Sequence, residues 1–260
     1  MRSAFSLLLI LLTVQMVSAQ DDTPDNPLFP KPRPKRFFIG PMVGYNSNFH
    51  SGGFQTLGGP GLDAACGDFT TGGGNGILAG LAAEYWFKPG GPTALQMRVY
   101  YEQKPGTFEQ NAGQSPIVDT AGNVHLFTLY HHVEAQYNLV NVEVQYKYNF
   151  PGTRFGVAIG PKFGFMLSSH YHQYQQLTGD NGEQFIFAAN GKDAIDLVPD
   201  TAIAGASTFR FGLVAHVQYE FLLGPFLVTP RVLYDLGITK IVSGWTVSSL
   251  AGTIEIKYGF

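Results

Sequence analysis

Two pairs of histidines, His131 with His132 and His170 with His172, are the residues of this 260-residue chain best suited by type and spacing to chemistry. Neutral imidazole is a ligand for zinc, copper or nickel, so the two pairs brought together would form a metal site. The plainer reading is a polar rim in which the histidines sit among Tyr130, Tyr171 and Tyr174. Ser168, Ser169, His170 and Asp180 are raw material for a hydrolase or acyltransferase. Yet the chain has no G-x-S-x-G and no H-E-x-x-H. Gly72-Gly73-Gly74-Asn75-Gly76 lacks the lysine and helix of a phosphate loop and reads as the flexible start of a loop. Cys66 is the single cysteine and cannot form an internal disulfide. No catalytic residue and no cofactor is therefore assigned, and the histidine set is the one metal candidate.

The elements that would position these groups alternate with a period of two. From Val140 to Phe150 the even positions are apolar (Val140, Val142, Val144, Tyr146, Tyr148, Phe150) and the odd ones polar (Asn141, Glu143, Gln145, Lys147, Asn149). A strand sends successive side chains to opposite faces, so this segment has one oily and one wet face. Pro151-Gly152 turns the chain, and Phe155 to Leu167 repeat the pattern. A two-residue turn pairs Phe150 with Thr153. Continued outward, that register sets His131 opposite His172. The break in alternation at Leu139-Val140 suggests a bulge, which would set His132 opposite His172 instead. Either way the four imidazoles gather at one rim.

Similar runs lie at 209–221, 226–239 and 250–260, with less regular ones near 36–46, 76–88 and 93–104. The expected count is eight strands, give or take two. Short links near 89–92, 151–152 and 222–225 alternate with long ones near 47–75, 105–135 and 169–207 and a modest one near 241–248. That is the pattern of an outer-membrane barrel with short periplasmic turns and long outer loops. The oily face is aromatic near strand ends. The other face carries Arg98, Lys147, Lys162, Arg210, Arg231 and Lys257 against Glu84, Glu102, Glu143, Glu220, Asp235 and Glu255. An eight-stranded barrel has room inside only for side chains, so these charges should pair there, with Glu84 near Arg98 and Arg210 near Asp235 as diagonal neighbours.

Residues 1–19 read as a signal peptide: Arg2, an apolar run, and Val17-Ser18-Ala19 before the cut. Residues 20–35 hold five prolines and many charges and read as a periplasmic leader, leaving 36–260 as the barrel. Charged residues make up only 13% of the chain and aromatics 14%, with a net charge of −3, so no basic patch points to nucleic acid. Beyond the signal peptide no apolar stretch suits a membrane helix, and a closed barrel is then the one way to satisfy the backbone in lipid.

The chain ends in GTIEIKYGF, a terminal alternating strand closing on Phe260, which resembles the signal read by the barrel assembly machinery. With FFIGPMVGYNSNF, NVEVQYKYNF, FGVAIGPKFGFML, FGLVAHVQYEF and RVLYDLGIT it resembles the PorT-like outer-membrane β-barrels, small barrels of the OmpX/OmpA type, over about residues 36–260. The resemblance implies no shared catalytic residues; members of that family serve secretion, envelope integrity or adhesion. The expectation is an all-β, transmembrane up-and-down antiparallel barrel with an N-terminal signal peptide, Sec-exported to the cell outer membrane. Its function is expected to be non-enzymatic, structural or interactive at the surface, with lipids, the assembly machinery and an extracellular or envelope protein as partners. A porin-like channel, an accessory part of a secretion system and a rim-active hydrolase or acyltransferase are the alternatives.

Overall fold

The computed structural model describes residues 35–54, 69–118, 124–179, 185–187 and 190–260. Residues 1–34, where the signal peptide and most of the leader are expected, Cys66 and Asp180 lie outside the described residues. The strands are β1 (Phe37–Phe54), β2 (Phe69–Trp86), β3 (Thr93–Gln103), β4 (Gly106–Val118), β5 (Val124–Asn149) and β6 (Phe155–Gly179). They continue as β7 (Ala194–Ala202), β8 (Phe209–Tyr219), β9 (Phe221–Leu223), β10 (Phe226–Gly237) and β11 (Thr246–Gly259). All the pairings are antiparallel, and eight strand positions close a ring. β1 pairs with β2 and β11; β2 leads to β3, β5, β6, β8, β10 and back to β11. β4 extends the β3 position past Lys104-Pro105, pairing with β2 and β5. β9 extends the β8 position along β10, and β7 is added to the outer part of β6. The Phe260 N–H donates to the Phe37 carbonyl at 2.9 Å, so both ends of the barrel meet at the rim that carries the short turns.

The oily face points outward on every ring strand. Val43, Ile77, Val99, Tyr146, Ile159, Val217, Val232 and Ile254, one from each strand, are all 50–59% exposed. Their neighbours in sequence turn inward and are buried, among them Met42, Leu78, Tyr100, Gln145, Ala158, Gln218, Arg231 and Glu255. No helix among the described residues is long and apolar enough to cross a membrane; the band of strand side chains is the lipid-facing surface.

Much of what the sequence suggests as long loops is strand. β1 and β2 pair out to Phe54 and Phe69, and β5 and β6 pair from Asn149 and Gly156 out to Phe127 and Gly179. The break at Leu139-Val140 marks a change of surroundings. Val140 faces outward, whereas Val133, Ala135, Tyr137 and Leu139 face inward and are buried. Above the lipid band the outside is water and the inside is an apolar core, so the oily face changes sides while the backbone runs straight on. The register shift at this level comes from an extra residue on β6, Leu167, because Asn138 pairs with Ser168 and Leu139 with Met166.

The Pro151-Gly152 turn is also wider than a two-residue turn. Asn149 pairs with Gly156, and the Phe150 N–H donates to the Phe155 carbonyl at 2.9 Å, with Gly152 at φ 74°. The glycine run 72–76 is part of β2 rather than a loop. Its inward members make room for the chain break between β3 and β4: a Cβ on Gly74 would lie 2.2 Å from the Pro105 carbonyl oxygen. Gly74→Ala is therefore expected to lower stability by about 1–3 kcal/mol, the usual range for overpacking. The outward Gly73→Ala, whose Cβ would meet nothing nearer than 3.6 Å, should change it little. Urea titration of the refolded barrel, followed by its heat-modifiable migration in gels, measures both.

Candidate functional site

Three features of the barrel could carry function: the lumen, the cap above it, and the outer sheet formed by β4 to β7. The lumen holds all twelve charged side chains expected there, each at most 5% exposed, and a thirteenth, Lys104. Nearest the cap, Asp235 is the hub. Arg210 donates to it at 2.9 and 3.2 Å, Lys162 at 2.9 Å and Lys104 at 3.1 Å, while Glu102 takes Lys162 at 2.6 Å and Lys104 at 3.1 Å. Next, Arg98 donates to Glu255 at 2.5 Å and to Gln145 at 2.6 Å, and Glu143 accepts from Tyr100 and Gln145. Nearest the short turns, Lys147 joins Glu84 and Glu220, and Lys257 reaches Glu84 at 2.5 Å and Glu255 at 2.9 Å.

Of the two expected pairs, Arg210 does meet Asp235. Arg98 is a diagonal neighbour of Glu84 but bonds Glu255 across the lumen instead. Lys104 was not among the residues expected inside, because it lies at the Lys104-Pro105 break where alternation gives no signal. Removing one member of such a pair strands a charge where water cannot reach it, so the network is held together by its completeness.

The cap is an apolar cluster that includes Phe69, Phe108, Val133, Leu139, Ile203 and Trp245. His50 packs against it at the junction of β1, β11 and the β3–β4 break. The Trp245 indole N–H donates to His50 Nδ1 at 3.0 Å, which leaves the proton on Nε2 to be donated to the Pro105 carbonyl at 2.9 Å. The ring lies 5.6 Å from Phe108 and 5.5 Å from Trp245, centroid to centroid. Of the outward side chains at this level Phe49 is apolar and 51% exposed, whereas Ser51, Gly73, Thr246 and Ser248 are small or polar, so His50 stands at the outer edge of the oily band.

The four candidate metal ligands do not gather. The added residue on β6 and the wider turn place Glu134 opposite His172, Gln136 opposite His170 and Gln175 opposite His131. His131 faces inward, where burial and then its neighbour His132 push its imidazole below the ordinary value. His132, His170 and His172 face outward in company with carboxylates: His132 lies 3.8 Å from Glu109, His170 3.9 Å from Asp200 and His172 2.9 Å from Asp196. Among the described residues no group of three His, Cys, Asp or Glu is placed to hold a metal ion. The rings of His132, Tyr174 and His172 instead stack on one another at 4.8 and 5.2 Å. Beside the stack is a depression of about 440 Å³ lined by Glu134, Gln136, Asn138, His170, His172 and Asp200. Ser169 and His170 are neighbours on one strand and point to opposite faces, and the Ser168 hydroxyl accepts from Asn138 at 2.9 Å, so the hydrolase raw material is not assembled among the described residues.

The sequence matches the family described as outer membrane protein beta-barrel domain over residues 19–243. No curated protein matches it in sequence. Among solved structures, Ail, the attachment invasion locus protein of Yersinia pestis, is similar at 10% identity and a TM-score of 0.34, covering 86% of this chain and 99% of that one. Neisserial surface protein A is similar at 13% identity and 0.36, covering 86% and 97%. The outer membrane protease OmpT of Escherichia coli is similar at 8% identity and 0.28, covering 88% and 98%.

Proposed function

The chain belongs to the outer membrane protein β-barrel domain family and is an outer-membrane barrel, and from that premise we propose that it is a non-conducting, non-enzymatic barrel whose working surface is extracellular. The observation that carries this reading is the filled lumen: thirteen buried charges, twelve of them in close ion pairs or hydrogen bonds with one another or their polar neighbours, closed above by an apolar cap. A solute path would require those pairs to part, and an eight-stranded ring leaves no width to spare. The sheet of β4 to β7 offers the interaction surface, with its stacked rings, carboxylates and depression.

The same reading takes residues 1–19 as a signal peptide removed on export and 20–35 as a periplasmic leader, and names the assembly machinery as a partner through the terminal strand. Phe260, 67% exposed at the rim of that strand, supports the last point. Purified barrel reconstituted in a planar bilayer is expected to show no discrete conductance steps under an applied potential of either sign. Reproducible steps that vanish when Asp235 is replaced would replace this reading with a channel.

A further inference from the structure

The charges in the lumen do not balance. Among the described residues its seven cations face six carboxylates, with Arg98, Lys104, Lys147, Lys162, Arg210, Arg231 and Lys257 on one side of the count and Glu84, Glu102, Glu143, Glu220, Asp235 and Glu255 on the other. Six of the cations have a carboxylate oxygen within 3.1 Å. Arg231 does not. Its Nε lies 3.3 Å from Glu255 Oε1, an oxygen that Arg98 already holds at 2.5 Å, and its Nη1 stops 3.9 Å from Glu143 Oε2. Nε donates to Thr253 Oγ1 at 2.5 Å, but neither Nη1 nor Nη2 has a hydrogen-bond partner, although the side chain is fully buried. Thr229, two residues away on the same inward face of β10 and fully buried, also has an unpartnered hydroxyl.

Buried N–H groups of a guanidinium left unmatched are among the most unfavourable arrangements a fold can hold. We infer that Arg231, with Thr229 as a second donor, binds a small monovalent anion of the halide class inside the barrel. Water would satisfy the N–H groups but leave the seventh charge uncompensated, whereas a monovalent anion does both. Glu143 repels an anion from the Nη1 edge, so the ion belongs at Nη2. His216 is the diagonal neighbour of Arg231 across the β8–β10 pair. Its Nε2 donates to Gln218 Oε1 at 2.9 Å, which leaves Nδ1 an unpartnered acceptor. That nitrogen takes a water that hydrates the ion rather than the ion itself.

The test is thermal unfolding of the refolded barrel in an uncharged detergent, in sodium chloride or sodium gluconate at equal ionic strength. A ligand bound to the folded state raises the midpoint with its concentration, so chloride and bromide should raise it and the bulky gluconate should not. Arg231→Met leaves six charges of each sign and should fold, with the halide dependence gone. Thr229→Val should raise the half-saturating halide concentration by about tenfold, the equivalent of one lost donor worth about 1.4 kcal/mol. Crystals grown in bromide should give an anomalous peak beside Arg231. Equal midpoints in chloride and gluconate, a halide dependence that survives both substitutions, or no bromide peak at Arg231 would each overturn the assignment.

Discussion

Asp235→Asn is expected to destabilise the barrel by about 3–5 kcal/mol, the cost of breaking a buried ion pair from one side. Asp235 is fully buried and accepts from Arg210, Lys162 and Lys104 together. Asparagine keeps the shape and one acceptor oxygen but removes the charge, leaving three cations opposite Glu102 alone. If charge rather than packing is at stake, removing one cation should give stability back. Asp235→Asn combined with Lys162→Met is expected to be more stable than Asp235→Asn by itself, a coupling that a double-mutant cycle isolates. Glu109→Gln, in an exposed carboxylate on the outer sheet, should stay within about 0.5 kcal/mol of the parent. Urea titrations into lipid vesicles of these three variants, of Lys162→Met alone and of the parent supply the values. An additive cycle would mean that Asp235 acts through packing and that the lumen is not organised by charge.

The membrane explains which parts of this architecture were legible in the sequence. Between Val140 and Phe150 lipid acts on one face and ion pairs on the other, so period two is written in residue type, and Tyr146 and Lys147 could be assigned to opposite sides without coordinates. The same contrast picked out Arg98, Glu143 and Glu255 as inward. Above the band the contrast weakens and then reverses, as at Leu139, and the outer halves of β5 and β6 read as loops although they are the longest paired stretch. Register suffered too. The wider turn after Phe150 keeps the parity of β6, and the extra Leu167 reverses it where no oily face remains to show the change; together they move His172 from His131 to Glu134. The glycines at 72, 74 and 76 were misread for a related reason. Their role is to admit Pro105 and Phe108 from another strand, a contact far away in sequence.

Lowering the pH is expected to loosen the cap through His50, with the lipid-embedded barrel left closed. Burial pushes this imidazole down from 6.5 to about 4; its bond to the Pro105 carbonyl opposes that, and the charges of Lys104 and Arg210 reinforce it. The geometry gives the same direction, because a proton added at Nδ1 would point at the Trp245 N–H that Nδ1 now accepts from. A histidine whose folded value is depressed is held neutral by the fold. Its contribution is complete above about 6.5, declines as the pH falls from there, and is fully lost below about 4, for a total of roughly 3 kcal/mol. The chain has two tryptophans, so a Trp86→Phe background leaves Trp245 as the sole indole reporter. Its emission should shift to the red between pH 6 and 4 while far-ultraviolet circular dichroism stays that of a barrel. His50→Gln retains an acceptor for Trp245 and a donor for Pro105 but does not titrate, so the shift should disappear in that variant. A red shift of the same size in His50→Gln would place the acid response on another group and remove His50 as the latch of the cap.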